Sequence, residues 1–149
     1  MRTTLINGRL ILPGGIGETG YVVIEDGKIA AVEKGEPAGP LSGEVIDAHS
    51  LYISPGFIDL HTHGAGGADF MDGTVEAYLT VAETHARYGT TALLPTTLTC
   101  PDEELFHMFD VYTEAKARNT KGAHFLGIHL EGPYFAYSQR GAQDPANLK

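Results

Sequence analysis

The spacing of apolar positions changes once along the chain, near Pro55. Before it, short apolar runs are separated by turn-forming pairs. Residues 5–12 hold Asn7-Gly8 between apolar runs, a pattern that predicts a two-residue hairpin turn. Residues 21–32 repeat the pattern with Asp26-Gly27. Residues 44–48 and 51–53 add two short strands, and residues 36–43, with two prolines and two glycines, read as a loop. The prediction for residues 1–54 is a small antiparallel β unit, the β-sandwich portion of the protein, with a structural role. It carries no cluster of chemistry-bearing side chains.

After Pro55 the pattern becomes strand, helix, strand, helix, strand. Residues 57–60 form a short apolar run, and residues 64–73 a glycine-rich loop. A helix is predicted over residues 74–88, with Val75, Leu79, Ala82 and Ala86 on one stripe and Gly89 in a left-handed position at its end. Residues 91–94 make the next strand. Pro101 opens a second helix whose positive N-terminus is complemented by Asp102, Glu103 and Glu104. Its apolar face is read as Leu105, Met108, Phe109 and Tyr112, with Lys116 and Arg118 in the last turn. Residues 123–130 form a third strand, with Leu126, Ile128 and Leu130 directed toward the covering helices. Strands alternating with helices of this length indicate parallel βαβ units. The fold class is α/β: over residues 55–149, the first three strands and two helices of an incomplete (β/α)8 TIM-type barrel.

Charge narrows the function. Ten basic and 19 acidic side chains give a net charge of −9, which argues against nucleic-acid binding as the main task. A local cationic site for a small phosphorylated molecule remains compatible with that balance. The single cysteine, Cys100, excludes an internal disulfide framework and fits a reducing compartment. The start of the chain lacks a signal-peptide apolar core, and no apolar run reaches the roughly 18 residues of a membrane span. The expectation is a cytoplasmic protein without a membrane partner.

Two strand ends carry the candidate chemistry. His61 and His63 lie two apart, so on a strand both project to one side, where two imidazoles can approach one metal ion. They end a strand, which is where β/α barrels build their sites, and Gly64, Gly66 and Gly67 leave space above them. Glu131 ends the third predicted strand, and Gly132-Pro133 then turns the chain away. A carboxylate aimed into a barrel mouth is costly unless it meets a cation. Its partner is a metal ion, or a lysine or arginine from a later strand. His129 reads as a residue behind the ligands or a satisfied core histidine. Asp59 shares the face of His61 and His63 and either orients a ligand imidazole or makes a lower structural contact. Thr96 and Thr97 follow the second strand and can hydrogen-bond near the site. His49, His85, His107 and His124 read as structural or solvated, and Cys100 has no base near it in sequence. Residues 140–145 read as a loop over the site in which Gln143 can grip an amide or a sugar.

Three stretches together, Pro-Gly-Phe-Ile-Asp-Leu-His-Thr-His-Gly from Pro55, Gly-Thr-Thr-Ala-Leu-Leu-Pro-Thr-Thr from Gly89, and His-Leu-Glu-Gly-Pro-Tyr-Phe from His129 with Gly-Ala-Gln-Asp-Pro from Gly141, resemble the N-acetylglucosamine-6-phosphate deacetylases of the amidohydrolase superfamily. The histidine pair is shared across that superfamily, whereas the glutamate strand with its downstream loop is specific to the deacetylases. The resemblance implies a divalent metal, zinc first and iron, cobalt or manganese next, bound as one or two ions. It implies Glu131 as a direct ligand and His61 and His63 as holders of a second ion. It implies Ala142 and Gln143 as substrate contacts, an amino-sugar phosphate as the small-molecule partner, and a homodimeric intact enzyme. Many members carry histidine where Gln143 stands; an amide can donate a hydrogen bond there but cannot carry a proton. The implied reaction is hydrolysis of the N-acetyl group to acetate and glucosamine 6-phosphate. The base aspartate is expected beyond Lys149, so no catalytic acid–base residue is assigned within the chain. A β/α barrel needs eight strands and about 250 residues. The expectation is therefore an N-terminal fragment, inactive by itself. The alternatives are a dihydroorotase-like cyclic-amide hydrolase of the same superfamily and a truncated, non-catalytic binding or assembly module.

Overall fold

In the computed structural model, which describes residues 1–149, the chain separates into two units, Met1–Pro55 and Gly56–Lys149. The first is one sheet built around its first strand. Strands β1 (Arg2–Leu12), β2 (Gly15–Glu25) and β3 (Lys28–Lys34) run antiparallel to one another in turn. Strands β4 (Glu44–Asp47) and β5 (Tyr52–Ile53) both pair parallel with β1. The unit is therefore mixed, where an antiparallel unit was expected. After β3 the chain crosses to the far side of β1 and starts again in the same direction, which a hairpin cannot do.

The two turn pairs behave differently. Asp26-Gly27 turns the chain between β2 and β3, both residues having positive φ, 49° and 76°. Asn7-Gly8 does not turn it: β1 runs straight through, and the turn falls at Pro13-Gly14. Asn7 takes φ 56° within a register irregularity between Leu5 and Gly8, so the left-handed residue makes a bulge instead. The contact with β5 decides the outcome. A Cβ at Gly8 would lie 2.1 Å from Ile53 Cδ1, so glycine admits that side chain against β1.

The second unit is organised on β9 (Thr90–Thr97). Strand β6 (Phe57–Thr62) pairs with it in parallel, as do β10 (His124–Phe125) and β11 (His129–Leu130). Between β6 and β9 lie a small ladder, β7 (Gly64–Ala65) with β8 (Ala68–Asp69), and helix α1 (Val75–Arg87). Helix α2 (Asp102–Arg118) follows β9. Thr74 caps α1 by accepting a hydrogen bond from the Ala77 amide, and Gly89 (φ 93°) carries the chain out of it. Helix α2 has no side-chain cap, but three acidic residues fill its first turn.

Both helices bury a face close to, but not identical with, the expected one. In α1 the buried residues are Val75, Ala77, Tyr78, Val81 and Ala82, while Leu79 and Ala86 are only partly covered. In α2 they are Met108, Val111 and Ala115, with Leu105, Phe109 and Tyr112 at the margin. The face is set by the aromatic core: Phe70, Tyr78 and Phe125 pack edge-to-face with centroids 4.7 to 6.4 Å apart. Leu93, Val81, Ala115 and Ala123 complete the core. Each such side chain of Val, Leu or Phe size contributes about 1.5–3 kcal/mol on full burial.

The third strand is broken, where a continuous one was expected. His124 pairs with Ala92, but His129 pairs with Thr96, so five residues on one strand oppose four on the other. The extra residue exchanges the two faces of the strand. Before it, Ala123 and Phe125 enter the core, and Leu126, expected against the helices, is 54% exposed. After it, His129 and Glu131 fall on the face away from the helices. No helix is long and apolar enough to cross a membrane.

Candidate metal centre

Strand β6 ends at Thr62, and the alternation of the strand, carried one residue further to His63, separates the side chains of His61, Thr62 and His63. Thr62 Oγ1 lies 3.2 Å from His85 Nε2 on α1, so the threonine points toward the helix layer. His61 and His63 point the other way. Their Nε2 atoms are 3.2 Å apart, with the rings edge-on at 73°. Glu131, brought to the same face by the bulge, places Oε2 3.2 Å from His61 Nε2 and 2.9 Å from His63 Nε2. These three form the chain's one group of candidate metal donors.

The spacing suits a single ion. Metal–ligand bonds of about 2.0–2.1 Å put neighbouring donors about 2.9–3.4 Å apart in octahedral or tetrahedral coordination. The observed 2.9–3.2 Å fall inside that range. Two imidazoles and one carboxylate suit zinc, iron, cobalt or manganese. The surroundings hold the donors unevenly. His63 Nδ1 is buried without a hydrogen-bond partner, although a metal-bound imidazole usually donates its second N–H. Asp59 does not orient an imidazole: its Oδ1 accepts from the His61 backbone amide at 3.1 Å, the structural one of its two expected roles.

His129 sits beside the donors, its ring centroid 4.5 Å from that of His61. Its Nδ1 donates to the Leu60 carbonyl at 2.9 Å, which ties the ring to the backbone of β6. A carbonyl can only accept, so Nδ1 carries the proton. Thr96, fully buried, accepts from the Thr62 amide at 3.0 Å and donates to the Leu94 carbonyl, pinning the end of β6 to β9. Thr97 is buried beside it. The remaining histidines lie elsewhere: His107 contacts the Gly73 carbonyl at 3.0 Å, His49 is 3.5 Å from Asp47, and His124 is exposed on β10. Cys100 is buried, and that burial, with Glu104 and Asp102 adding to it, pushes its thiol pKa up, away from nucleophile character.

Two of the donors, His61 and Glu131, border an open cleft of about 530 Å³ that is also lined by His129, Leu130, Gly132, Tyr134 and Phe135. Tyr134 is 79% exposed there. Beyond Phe135 the chain folds back on the end of β9. Gln143 is 8% exposed, and its Oε1 accepts from both the amide and the hydroxyl of Thr99, each at 2.9 Å. Asn147 Nδ2 reaches the Thr99 carbonyl at 3.5 Å, and the Lys149 amide donates to the Pro133 carbonyl at 3.0 Å. Ala142 is exposed on the loop and is not brought against the three donors. Thr99, invisible to motif reading, is the contact that seats Gln143. Its only signal in the sequence was its place two residues past the end of β9.

The second unit is an α/β unit in which two imidazoles and a carboxylate, a donor set fit for a divalent metal ion, converge at the ends of parallel strands. The chain belongs to the amidohydrolase family, whose sequence profile matches residues 52–149. It is 37% identical over 129 residues to the N-acetylglucosamine-6-phosphate deacetylase of Bacillus subtilis, covering 85% of this chain and 33% of that protein. It is 34% identical over 137 residues to the N-acetylgalactosamine-6-phosphate deacetylase of Escherichia coli O157:H7, covering 92% and 35%. Among solved structures it superposes on N-acetylglucosamine-6-phosphate deacetylase from Pasteurella multocida with a TM-score of 0.89 and 28% identity, over 100% of this chain and 39% of that one. The chain spans about a third of the length of the curated relatives it matches.

Proposed function

We propose that residues 1–149 supply the metal-holding part of a deacetylase that hydrolyses the N-acetyl group of N-acetylglucosamine 6-phosphate, giving acetate and glucosamine 6-phosphate, on the framework of an incomplete (β/α)8 barrel over residues 55–149. The observation that carries the reading is the convergence of His61 Nε2, His63 Nε2 and Glu131 Oε2 within 3.2 Å of one another at the strand ends. Deacetylase relatives at 34–37% identity supply the substrate class.

His61 and His63 offer neutral nitrogen donors, and Glu131 offers the negative charge that offsets part of a divalent ion. Bound there, such an ion supplies Lewis acidity, which polarises a carbonyl and lowers the pKa of water. His129, tied to the Leu60 carbonyl, braces the His61 ring from the side. Tyr134 and Phe135 provide aromatic walls of the cleft, suited to the apolar face of a sugar ring. Gln143 and Ala142 lie on the loop proposed to meet the substrate. The group that takes the proton of water and returns it to the leaving amine is not assigned among residues 1–149. The 149-residue chain alone is therefore expected to bind a divalent ion without releasing acetate.

The test is a chimera in which residues 1–149 replace the matching segment of the Bacillus subtilis deacetylase. Acetate release is measured with N-acetylglucosamine 6-phosphate and N-acetylgalactosamine 6-phosphate. Activity that disappears with Glu131→Gln is expected. A folded, metal-loaded chimera that cleaves neither substrate would sink the proposal.

A further inference from the structure

We propose that Thr99 is a positioning residue that fixes the sense of the Gln143 amide, so that the half left to meet the substrate is a hydrogen-bond donor for the N-acetyl carbonyl oxygen. The proposal rests on the deacetylase reading above.

The sense of a glutamine amide is set by its partners. One partner here is a backbone N–H, which can only donate, so the atom 2.9 Å from it is the oxygen. The Thr99 hydroxyl donates to the same oxygen at 2.9 Å. Both lone pairs of Oε1 are thereby occupied, in a place where Thr99 and Gln143 are each only 8% exposed. The Nε2 end makes no hydrogen bond to the protein, and it is not among the polar atoms sealed from solvent. A flip of the amide would set NH2 against an N–H and strand a buried donor, which is expensive. The amide is therefore locked with its donor end free.

Thr99 packs against the turn that follows Glu131. A Cβ on Gly132, the residue after Glu131, would lie 2.3 Å from Thr99 Cγ2, so the threonine methyl packs on the backbone that leaves the site. Thr99 thus touches the Glu131 strand on one side and holds Gln143 on the other. Gln143 is presented by buried bonds made 44 residues away in sequence rather than by its own loop.

The experiment uses the zinc-loaded chimera in which residues 1–149 replace the matching segment of the Bacillus subtilis deacetylase. Hydrogen exchange at the Thr99 amide is read by NMR without sugar, and affinities are then measured for N-acetylglucosamine 6-phosphate and for glucosamine 6-phosphate, which lacks the acetyl oxygen. Gln143→Ala is expected to accelerate Thr99 amide exchange. Gln143→Glu keeps an acceptor on Thr99 but turns an oxygen outward, and should weaken the acetylated ligand by about tenfold or more. Thr99→Val should weaken the acetylated ligand about threefold to tenfold and leave glucosamine 6-phosphate unchanged, with Thr99→Ser restoring wild-type binding to within about twofold. Unchanged Thr99 exchange in Gln143→Ala would refute the lock itself. Equal weakening of both ligands in Thr99→Val would reduce Thr99 to a structural residue. If the metal-loaded chimera binds neither sugar phosphate while the exchange result holds, the deacetylase reading fails, and the substrate role of Gln143 falls with it.

Discussion

Replacing Gly132 with alanine tests how tightly the metal centre is coupled to the Thr99 contact. Two costs arise from separate features. Gly132 has φ 101°, a conformation that costs a residue with a Cβ about 1–3 kcal/mol. The new methyl would also lie 2.3 Å from Thr99 Cγ2 and 3.1 Å from Phe135 Cε2, so the packing must open, at about 1–3 kcal/mol. The sum, about 2–6 kcal/mol, is a large part of the stability of a unit this size. It lowers Tm by at least about 8 °C, given about 4–8 °C per kcal/mol in small domains. Because Glu131 is the neighbouring residue, the same displacement should weaken zinc binding. The assay is calorimetric melting of the metal-free and zinc-loaded protein, with zinc affinity by competition titration. The second variant separates the two costs: Thr99→Ser removes Cγ2 but keeps the hydroxyl that holds Gln143. In the Gly132→Ala background it should recover the Thr99 part of the packing share, about 1–2 kcal/mol, and leave the Phe135 contact and the backbone share in place. A Tm within a degree or two of wild type for Gly132→Ala would refute the argument, as would a loss that Thr99→Ser does not relieve.

Three further outcomes follow from named groups. Glu131→Gln removes the only charged donor of the cluster and should reduce zinc affinity by more than the roughly 10–100-fold seen on losing an outer hydrogen-bond partner; unchanged stoichiometry and affinity by equilibrium dialysis would count against the three-donor site. Tyr78 is fully buried with an unpartnered hydroxyl, so Tyr78→Phe should stabilise the protein by about 1 kcal/mol or more in urea titration, and a destabilised variant would show that the hydroxyl is satisfied. Burial, followed by the charge of Asp69, pushes the Tyr78 pKa up to about 12 from 10.0. The folded state therefore holds the proton longer than the unfolded one. Stability from this group is complete below pH 10 and is lost as pH rises toward 12, a loss of order 2–3 kcal/mol that the phenylalanine variant should not show. Cys100, buried with its thiol pKa raised, should react with a thiol reagent only at the rate of opening, so modification of the native protein as fast as of the urea-unfolded chain would contradict its placement.

What was legible in the sequence, and what was not, divides by whether the deciding contact is local. The helices and the turn at Asp26-Gly27 depend on neighbours in the chain, and they stand where the pattern put them. Asn7-Gly8 carries the same local signal as Asp26-Gly27, yet makes a bulge, because Ile53 from a later strand occupies the space over Gly8. The helix faces shifted for a similar reason, since the positions of Tyr78 and Val111 answer to Phe70 and Phe125. The third strand is the sharpest case. Strict alternation from Phe125, which is in the core, would carry Glu131 into the same core, since the two are six residues apart. Only the extra residue opposite β9 between Phe125 and His129 brings the carboxylate round to His61 and His63. A bulge exists only in the pairing of two strands, so no period counted along one of them can reveal it. The alternation argument for Glu131 thus reached the right face from the wrong premise. Its position at a strand end, followed by a glycine and a proline, was the sounder warrant. The bulge also has a mechanical consequence: one inserted residue lets a single strand bury Phe125 beneath the helices and still present Glu131 to the histidines, so stabilisation and site-building share a strand without competing for a face.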